Sequence, residues 1–469
     1  MGCTTILVGK KASYDGSTLI ARNDDSPSGV FTSKKMIIVE KNKNGKKYKS
    51  VISKVEIDLP EFSYRYSLMP NVTKDEGIWG ACGINECNVA MTATETITSN
   101  PRVLGADPLV KKGIGEEDLV VLVLPYISSA KEGVIRLGKL LEQYGTYECN
   151  GIAFSDKDSI WYLETIGGHH WISKRVKDDH YVVMSNQFGI DNFDFDDAYS
   201  SQNENMCSED LKEFMLKNHL CLDIDNKFSP RYAFGSHDDS DHVYNTPRAW
   251  FITNYFNPSL KGKFSPEDDN IPWSNIPDKK ITIDDIKYAL SSHYQGTCFD
   301  PYTKIVKEYK PLYRPIGISR TSFIHILQIR DYVDEKLSSI EWVGFACNIF
   351  NTLIPVYTNV DKLPTYLNNT TEKVSTNNFY WTNRIISCLV DSHYQTSIIH
   401  IERYQESTMA KNYQLIKKFD NEFDGSEKYL ENANKEIAKM IQKATDNVLS
   451  KVLYQASVQM KCGFSRSDN

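Results

Sequence analysis

Short strand-like runs separated by turn signals fill the first half of the chain, and this pattern limits the fold more than any other feature. Strands are predicted at 4–8, 18–20, 36–40, 50–59, 89–96, 151–155, 160–165, 171–176 and 181–185. Among them lies one stretch of helical periodicity, 116–144, which Pro125 interrupts. Because strands, a helical layer and further strands follow one another, the pattern favours an α+β fold with antiparallel sheets over a parallel βαβ fold.

The second half of the chain begins with a segment rich in Pro, Lys and Asp, 257–280, which is a candidate boundary or long surface loop. After it we predict a helix near 283–292, a strand near 322–330 and a strand or loop near 354–357. No internal repeat is visible in the sequence. The chain is therefore expected to form one unit or two parts that meet near this segment.

The tail from 426 to 460 is predicted to be a long helix, because apolar residues recur along one side of it. These residues are Leu430, Ile437, Ile441, Val448 and Val452. Such a face suits packing on the body of the protein or on a second copy of the chain, so a homo-oligomer is an open expectation. A solvated amphipathic surface helix is the equal alternative.

Composition excludes several classes of protein. Of the 469 residues, 41% are apolar and 25% charged, as in soluble folded proteins, and the net charge of −7 includes no block of like charge, so neither a nucleic-acid nor a membrane partner is expected. The start of the chain lacks the basic and apolar regions of a signal peptide, and no stretch approaches about twenty apolar residues, so a cytoplasmic location is expected. The ten cysteines include no CxxC pair, and no disulfide, metal or cofactor is expected.

Cys3 is the residue whose position carries chemistry. Hydrolysis of an amide needs a nucleophile and a base, and a thiol on the first residue of a chain can use its own α-amine, whose pKa is about 7.7 to 8.0. That reading requires removal of residues 1–2. Two others stay open: Cys3 as a buried strand residue, and Gly2 with Cys3 as a lipid anchor, although Ile6 stands where the acylation pattern has Ser or Thr.

The second strand ends in charged residues that a hairpin would bring beside the start of the first strand. Arg22 could then lower the pKa of the Cys3 thiol, and Asp25 could hold the α-ammonium group. The alternative is a surface turn with a local ion pair. The ten histidines, including His169 and His170 and those at 236–242, form no Cys/His or metal-ligand pattern.

The residues around Cys3 and several later runs resemble a known family. The runs are CTTILVG at 3–9, RNDD at 22–25, INECNVAMTATET at 84–96, GIGEED at 113–118, GGHHW at 167–171, YNTPR at 244–248 and YRPIGISR at 313–320. They resemble the N-terminal-nucleophile hydrolases of the choloylglycine hydrolase and penicillin V acylase group, and more closely the bacterial cysteine dipeptidases of types A and D. The resemblance implies an αββα four-layer sandwich with a helical C-terminal extension, in which 3–256 is the catalytic core and 257–469 completes the sandwich, although one domain is an equal reading.

The resemblance also implies roles for individual residues. Cys3 is the nucleophile and its own amine the base, with Arg22 and Asp25 in support. Methionine aminopeptidase would leave Gly2 in front of Cys3, so a further cut is needed, and in the family it can come from attack of Cys3 on the carbonyl that precedes it. The implied activity is that of a cysteine-type dipeptidase that hydrolyses short peptides through a thioester.

Further residues come from matching the family's later motifs. Asn186 takes the place of an asparagine that faces the oxyanion, and Arg248 that of an arginine that closes the site, with Arg231 as its competitor. The acylases have a second asparagine where this chain has Thr94 and Glu95. The second oxyanion donor is then open between a backbone N–H and Thr94, and Glu95 could instead receive the ammonium group of a dipeptide.

Asn23 completes the set of expected substrate-binding residues. Three other functions stay open beside the dipeptidase. The chain could be an acylase on bile-salt-like or penicillin-like amides, a non-enzymatic binding protein similar to the secernins, or a lipid-anchored interaction protein.

Overall fold

The structure is a computed structural model that describes residues 2–43, 45–222, 228–303 and 311–461, with the side chains of Lys74 and Thr94 outside the described part. Its strands are β1 Thr4–Val8, β2 Thr18–Asp25, β3 Ile37–Val39, β4 Lys47–Lys49, β5 Glu56–Asp58, β6 Tyr66–Leu68, β7 Cys82–Ile84, β8 Ala90–Thr96, β9 Asn150–Ser155, β10 Ile160–Ile166, β11 His170–Val176, β12 Tyr181–Met184, β13 Asn205–Cys207, β14 Ser274–Asn275, β15 Thr321–Ile329, β16 Ser339–Phe345 and β17 Ile354–Tyr357. Its helices are α1 Pro101–Ala106, α2 Leu119–Val123, α3 Ala130–Tyr144, α4 Phe195–Ala198, α5 Leu211–Lys217, α6 Pro230–Phe234, α7 Asp239–Tyr244, α8 Thr246–Phe256, α9 Ile283–Leu290, α10 Thr365–Asn368, α11 Phe379–Ser392, α12 Tyr394–Asn421 and α13 Glu427–Val458. Short 3₁₀ turns lie at Lys74–Glu76, Leu124–Tyr126, Pro258–Leu260 and Glu335–Leu337.

Two large sheets dominate the molecule. One has seven strands in the order β14-β12-β1-β2-β15-β16-β17, and the other has six in the order β13-β11-β10-β9-β8-β7. Every pairing within both sheets is antiparallel. The predicted α+β class with antiparallel sheets is confirmed. Because β15 pairs with β2, strands from before and after the segment 257–280 lie in the same sheet.

Strand β2 of the seven-stranded sheet contacts β8 and β9 of the six-stranded sheet. Alternate residues of β9 belong to two apolar clusters, since Ala153 lies in the cluster that includes residues of β1 and β2, while Ile152 and Phe154 lie in the cluster that includes residues of α3. A methyl group at Gly133 of α3 would come within 2.5 Å of the Phe154 ring, so the helix approaches the sheet as closely as a glycine allows. Helices α8, α9 and α11 contact the seven-stranded sheet.

The C-terminal helices lie against one end of this body. Helix α13 contacts α11, α12 and β17, and the five residues of its predicted apolar stripe are all buried. The predicted long helix is therefore confirmed, together with its packing on the body. None of the helices in the described ranges is long and apolar enough to cross a membrane.

One predicted strand is much shorter than expected. Of the stretch 50–59, only β5 is extended, and it pairs with β4 in a small separate hairpin. The Ser50 hydroxyl accepts a hydrogen bond from the Ser53 backbone N–H at 3.1 Å, and Lys54 has a positive φ of 66°. Both features belong to a turn, because a side-chain hydrogen bond to the local backbone and a left-handed residue end an extended run.

Candidate active site

Cys3 lies at the head of β1, in the middle of the seven-stranded sheet. The hairpin of β1 and β2 is formed as predicted, with Thr4 opposite Asn23 and Thr5 opposite Arg22. The side-chain oxygen of Asn23 accepts from the Thr4 N–H at 2.7 Å, and its amide donates to the Ile316 carbonyl at 3.1 Å. Asn23, expected at the substrate, thus holds the start of β1 in place by its side chain.

The Cys3 side chain is fully buried, as is the preceding Gly2. Arg22 Nη1 donates to Cys3 Sγ at 3.1 Å. Burial raises the pKa of the Cys3 thiol to about 12, although the neighbouring Arg22 lowers it. The thiol is therefore neutral near pH 7 while Gly2 is in place, and a base is needed before it can act as a nucleophile.

The guanidinium of Arg22 is held between the two sheets. Its Nη2 donates to the carbonyls of Ala81 at 3.0 Å and Ala93 at 2.8 Å, and its Nε donates to the Thr92 hydroxyl at 3.1 Å. Nη1 also lies 3.3 Å from the Asp24 carboxylate. These partners hold the guanidinium in one position. The cation next to the Cys3 thiol is therefore fixed.

Asp25 contacts Cys3 through other groups. One carboxylate oxygen accepts from the Thr321 hydroxyl at 2.6 Å, and the other forms an ion pair with Arg314 Nη2. The same nitrogen of Arg314 donates to the Gly2 carbonyl oxygen at 2.7 Å. Asp25 therefore reaches the N-terminal segment by way of Arg314 while Gly2 is present.

Arg248 is brought to the other side of Cys3 by α8. It donates to the Cys3 carbonyl oxygen, to the Thr4 hydroxyl at 2.7 Å and to the side-chain oxygens of Asn186 at 2.8 Å and Asn245 at 2.6 Å. Desolvation together with Arg314 lowers its pKa to about 10, so it stays cationic near neutral pH. The guanidinium joins the ends of β1 and β12.

Arg231, the competitor of Arg248, lies in a different network. Its guanidinium donates to the backbone carbonyls of Gly189 at 2.9 Å, Asp269 at 2.9 Å and Ile271 at 3.1 Å. These contacts tie the loop after β12 to the segment before β14. Of the two arginines, the structure places Arg248 beside Cys3.

Asn186 follows β12 and bridges to the second sheet. Its oxygen accepts from Arg248, and its amide donates to the Thr96 carbonyl at 3.0 Å. The side chain is thus in the network that surrounds Cys3. The resemblance to the family, and not the local sequence pattern, pointed to Asn186 as a site residue.

Glu95 lies in β8 next to a β-bulge, where the register shifts between Ala93 and Glu95. One carboxylate oxygen accepts from the Thr5 hydroxyl at 2.8 Å. The other is buried and has no hydrogen-bond partner among the described residues. Burial raises the pKa of Glu95 to about 7, against the opposing charge of Arg248. The side chain of Thr94, expected to donate to the oxyanion, lies outside the described part.

Comparison with known proteins now decides the family. The model of peptidase family C69 matches residues 2–407. The chain belongs to peptidase family C69. It is 50% identical to "Probable dipeptidase A" of Streptococcus pyogenes serotype M3 and 47% identical to "Dipeptidase" of Bifidobacterium longum, in each case over all of both chains. It is 44% identical to "Probable dipeptidase B" of Lactococcus lactis subsp. lactis, covering 99% of this chain and 98% of that protein.

Two buried charged residues of this C69 member were not predicted to be in the site. Arg314 stands in a run that was noted only for its resemblance to the family, and its contacts to Gly2 and Asp25 join residues far apart in sequence. Glu116 approaches Arg22 Nη1 to 4.0 Å, and burial raises the pKa of its carboxyl group to about 8. A motif alone does not reveal either, because nothing local tells which charges meet across the two sheets.

The buried His325 of this C69 member is joined to the network, because its Nε2 lies 2.8 Å from the Thr92 hydroxyl to which Arg22 donates, whereas His169, His170 and His242 lie elsewhere. His169 and His170, at the turn between β10 and β11, contact Asp107 at 2.9 and 2.7 Å, and His242 contacts Asp269 at 3.0 Å. Within 2–43, 45–222, 228–303 and 311–461, no group of three or more His, Cys, Asp or Glu is arranged to hold a metal ion.

A cavity of about 430 Å³ opens beside the site, with Asp24, Ser26, Lys34, Trp79 and Ser322 among its lining residues. Asp24 links the cavity to Cys3, because it also pairs with the Arg22 group that contacts the sulfur. The Lys34 ammonium lies 3.4 Å from Asp24 on the cavity side. The polar groups of this C69 member thus continue from the buried thiol to an open cleft.

Proposed function

We propose that this protein is a cysteine-type dipeptidase in which Cys3, once it is the first residue, is the nucleophile. The observation that carries the proposal is the contact of 3.1 Å between Cys3 Sγ and the immobilised Arg22 guanidinium. A fixed cation next to a thiol stabilises the thiolate, which is the reactive form. The family, and relatives named as dipeptidases at 44 to 50% identity, support the same activity.

The reaction divides into two steps. The free α-amine of Cys3 takes the thiol proton, the sulfur attacks the scissile carbonyl, and the leaving amine departs with that proton, which leaves a thioester on Cys3. Water then adds to the thioester, the C–S bond breaks, the acyl group leaves as a carboxylate, and a proton of the water returns through the same amine to the Cys3 sulfur. Asn186 and the Arg248 group that holds it are the proposed support for the oxyanion. Asp25, whose partner Arg314 loses its contact to the Gly2 carbonyl when Gly2 is removed, orients the ammonium group.

Glu95 is the proposed receptor for the free amino group of the substrate. Its second oxygen is buried without a hydrogen-bond partner among the described residues, which is costly for a carboxylate unless a cation arrives. Such a receptor favours peptides with a free N-terminus over N-acyl amides. The cleft at Asp24 and Lys34 is the proposed entry to the site.

The finer fold prediction stands as part of this proposal. We infer an αββα four-layer sandwich, which is supported by the contacts of β2 with β8 and β9 and by the helices that contact each of the two sheets. The catalytic core is assigned to 3–256, and 257–469 completes the sandwich and carries the long helix. A cytoplasmic location and a small peptide as the substrate belong to the same proposal.

A substrate panel tests the activity. The purified protein is assayed against free dipeptides, the same dipeptides with acetylated N-termini, and N-acyl amides of bile-salt and penicillin type. Free dipeptides are expected to be the preferred substrates, and Cys3→Ala is the control for contaminating peptidases. Hydrolysis of the N-acyl amides at a higher kcat/KM than any free dipeptide would assign the protein to acylases.

A further inference from the structure

We propose that Arg314 is the catalytic residue for removal of the N-terminal segment, because its guanidinium holds the carbonyl oxygen of the Gly2–Cys3 peptide bond. The inference rests on the proposed function, since it concerns how the free Cys3 amine arises. Arg314 Nη2 donates to the Gly2 oxygen at 2.7 Å. This is the oxygen on which negative charge develops when a nucleophile adds to the bond.

Arg314 is fixed in the orientation that this role needs. The same nitrogen forms an ion pair with the buried Asp25, and Nη1 donates to the Pro315 carbonyl at 3.2 Å. The guanidinium carbon lies 5.1 Å from the centre of the Tyr244 ring, and the side chain is only 6% exposed. A donor that is already oriented and desolvated stabilises an oxyanion far better than a mobile surface arginine.

The nucleophile lies next to the bond because the sulfur and the nitrogen of the Gly2–Cys3 bond belong to the same residue, Cys3. Cys3 Sγ can bond to the Gly2 carbonyl carbon by closing a five-membered ring, while the π electrons of the carbonyl move onto the oxygen that Arg314 holds. The C–N bond then breaks, the oxygen returns its electrons to form a thioester, and the thiol proton ends on the Cys3 nitrogen. Water adds to the thioester, releases Gly2 as a carboxylate and restores the thiol.

Position 2 fits this arrangement because it is a glycine. A methyl group there would lie 2.9 Å from Arg314 Nη2 and 3.3 Å from its guanidinium carbon. A larger residue would displace the guanidinium from the carbonyl. Arg248, by comparison, donates to the carbonyl oxygen of Cys3, and the peptide bond that follows Cys3 is not broken in this step.

Intact-mass measurement of the full chain tests the inference. The wild type is expected to lack Gly2, and Cys3→Ala to retain it. Arg314→Gln is expected to retain Gly2 in most molecules, with release slowed on the order of 100-fold, as is usual for loss of one oxyanion donor. Arg314→Lys keeps the charge but not the fork geometry and is expected to lie between them. Complete release of Gly2 from Arg314→Gln at the earliest time would overturn the inference.

Deletion of Gly2 separates this step from peptide hydrolysis. In that background methionine aminopeptidase exposes Cys3 directly, because it removes Met before a small residue. Arg314→Gln then acts on dipeptide hydrolysis only through its ion pair with Asp25, so the loss of kcat/KM relative to the deletion alone is expected to be smaller than the slowing of Gly2 release. A variant with a free Cys3, confirmed by mass, that stays inactive would place Arg314 in peptide hydrolysis and contradict the assignment.

The same background also tests the proposed function. If the deletion variant with Arg314 intact has a free Cys3 and hydrolyses no dipeptide, the dipeptidase proposal fails, and the mass measurements alone decide the role of Arg314. Should Arg314→Gln not fold, Gly2→Val keeps both Arg314 and Asp25 and tests the contact from the other side. It is expected to slow the release of Gly2, and release at the wild-type rate contradicts the inference.

Discussion

The surroundings of Cys3 and the packing of helix α13 are both buried, but they are built from opposite kinds of side chain. Around Cys3 lie Arg22, Arg248 and Arg314 with the carboxylates that face them. Along α13 the buried face is mainly aliphatic, as at Ile437 and Ile441. Burial of charge is at best close to neutral for stability, whereas each aliphatic side chain stabilises the fold by about 1.5 to 3 kcal/mol. Helix α13 therefore contributes stability to a body whose centre holds the charged groups around Cys3.

The two regions should therefore respond differently to substitution. Changes around Cys3 are expected to act on catalysis first, and changes along α13 on stability alone. The four predictions that follow run from the largest expected effect on activity to the smallest. A substitution near Cys3 that changed stability but not activity, or one in α13 that changed activity, would contradict this difference between the two regions.

Cys3→Ala is expected to reduce kcat/KM for dipeptides by about 10⁴-fold or more, because no other nucleophile is proposed. The free energy of unfolding should change by less than about 1.5 kcal/mol, since only one sulfur atom is lost. Steady-state kinetics and urea unfolding measure the two quantities. Activity within tenfold of the wild type would remove the nucleophile from the proposal.

Arg248→Gln is expected to lower kcat/KM about 100-fold, because it releases Asn186 and the start of β1. Arg231→Gln is the control, since the Arg231 guanidinium also donates to backbone carbonyls but lies in another, less buried network. It should lower stability and leave kcat/KM of the folded protein nearly unchanged. Equal losses of activity in both variants would contradict the placement of Arg248.

Glu95→Gln is expected to raise KM for free dipeptides about tenfold, because a charge-assisted hydrogen bond to the substrate ammonium is lost. The pKa of Glu95 is about 7, so in the wild type kcat/KM should fall as the pH drops below 7 and the carboxylate takes up a proton. The variant should lack that part of the decrease. Acetylated dipeptides are the control, and an equal rise of KM for them would argue against an ammonium receptor.

The same substitution has a stability signature with a definite sign. Burial raises the pKa of Glu95 from 4.5 to about 7, so the folded state holds the proton more tightly than the unfolded chain, and stability is lost as the pH rises from about 4.5 to 7. Relative to the wild type, Glu95→Gln should gain about 3 kcal/mol at pH 8 compared with pH 4. Urea unfolding at both pH values measures this difference, and an unchanged difference would mean that Glu95 is ionised at no cost.

Ile441→Ala is expected to have the smallest effect on activity and a clear effect on stability. The side chain is fully buried in α13, and its loss should lower the free energy of unfolding by about 2 to 5 kcal/mol. Below the unfolding transition, kcat/KM should equal that of the wild type. Lys451→Ala, at an exposed position of the same helix, is the control and should change neither quantity. A loss of kcat/KM in folded Ile441→Ala would show that α13 shapes the site.

Much of the fold follows from local patterns. The turn at Tyr14 to Gly16 and the alternation around it predict the hairpin of β1 and β2, and the one-sided stripe predicts α13. The stretch 50–59 shows the limit, because an apolar alternation looks like a strand until the Ser50 hydroxyl and the left-handed Lys54 turn the chain. The sequence did not predict which strands form which sheet, because a pairing such as that of β2 with β15 joins segments that are far apart in the chain.

Local sequence patterns alone predicted that a strand begins at Cys3 and that the end of the next strand, with Arg22 and Asp25, returns beside it, because a turn signal separates two strand-like runs. Only the tertiary structure decided that Arg314 holds the Gly2 carbonyl and Asp25 together, and that Arg248 rather than Arg231 lies beside Cys3. The physical reason is that the residues next to a charged side chain in the sequence do not show which distant residue it pairs with. The tertiary structure fixes the partner, because the two sheets exclude water and every buried charge then needs an opposite charge or a hydrogen-bonding group beside it.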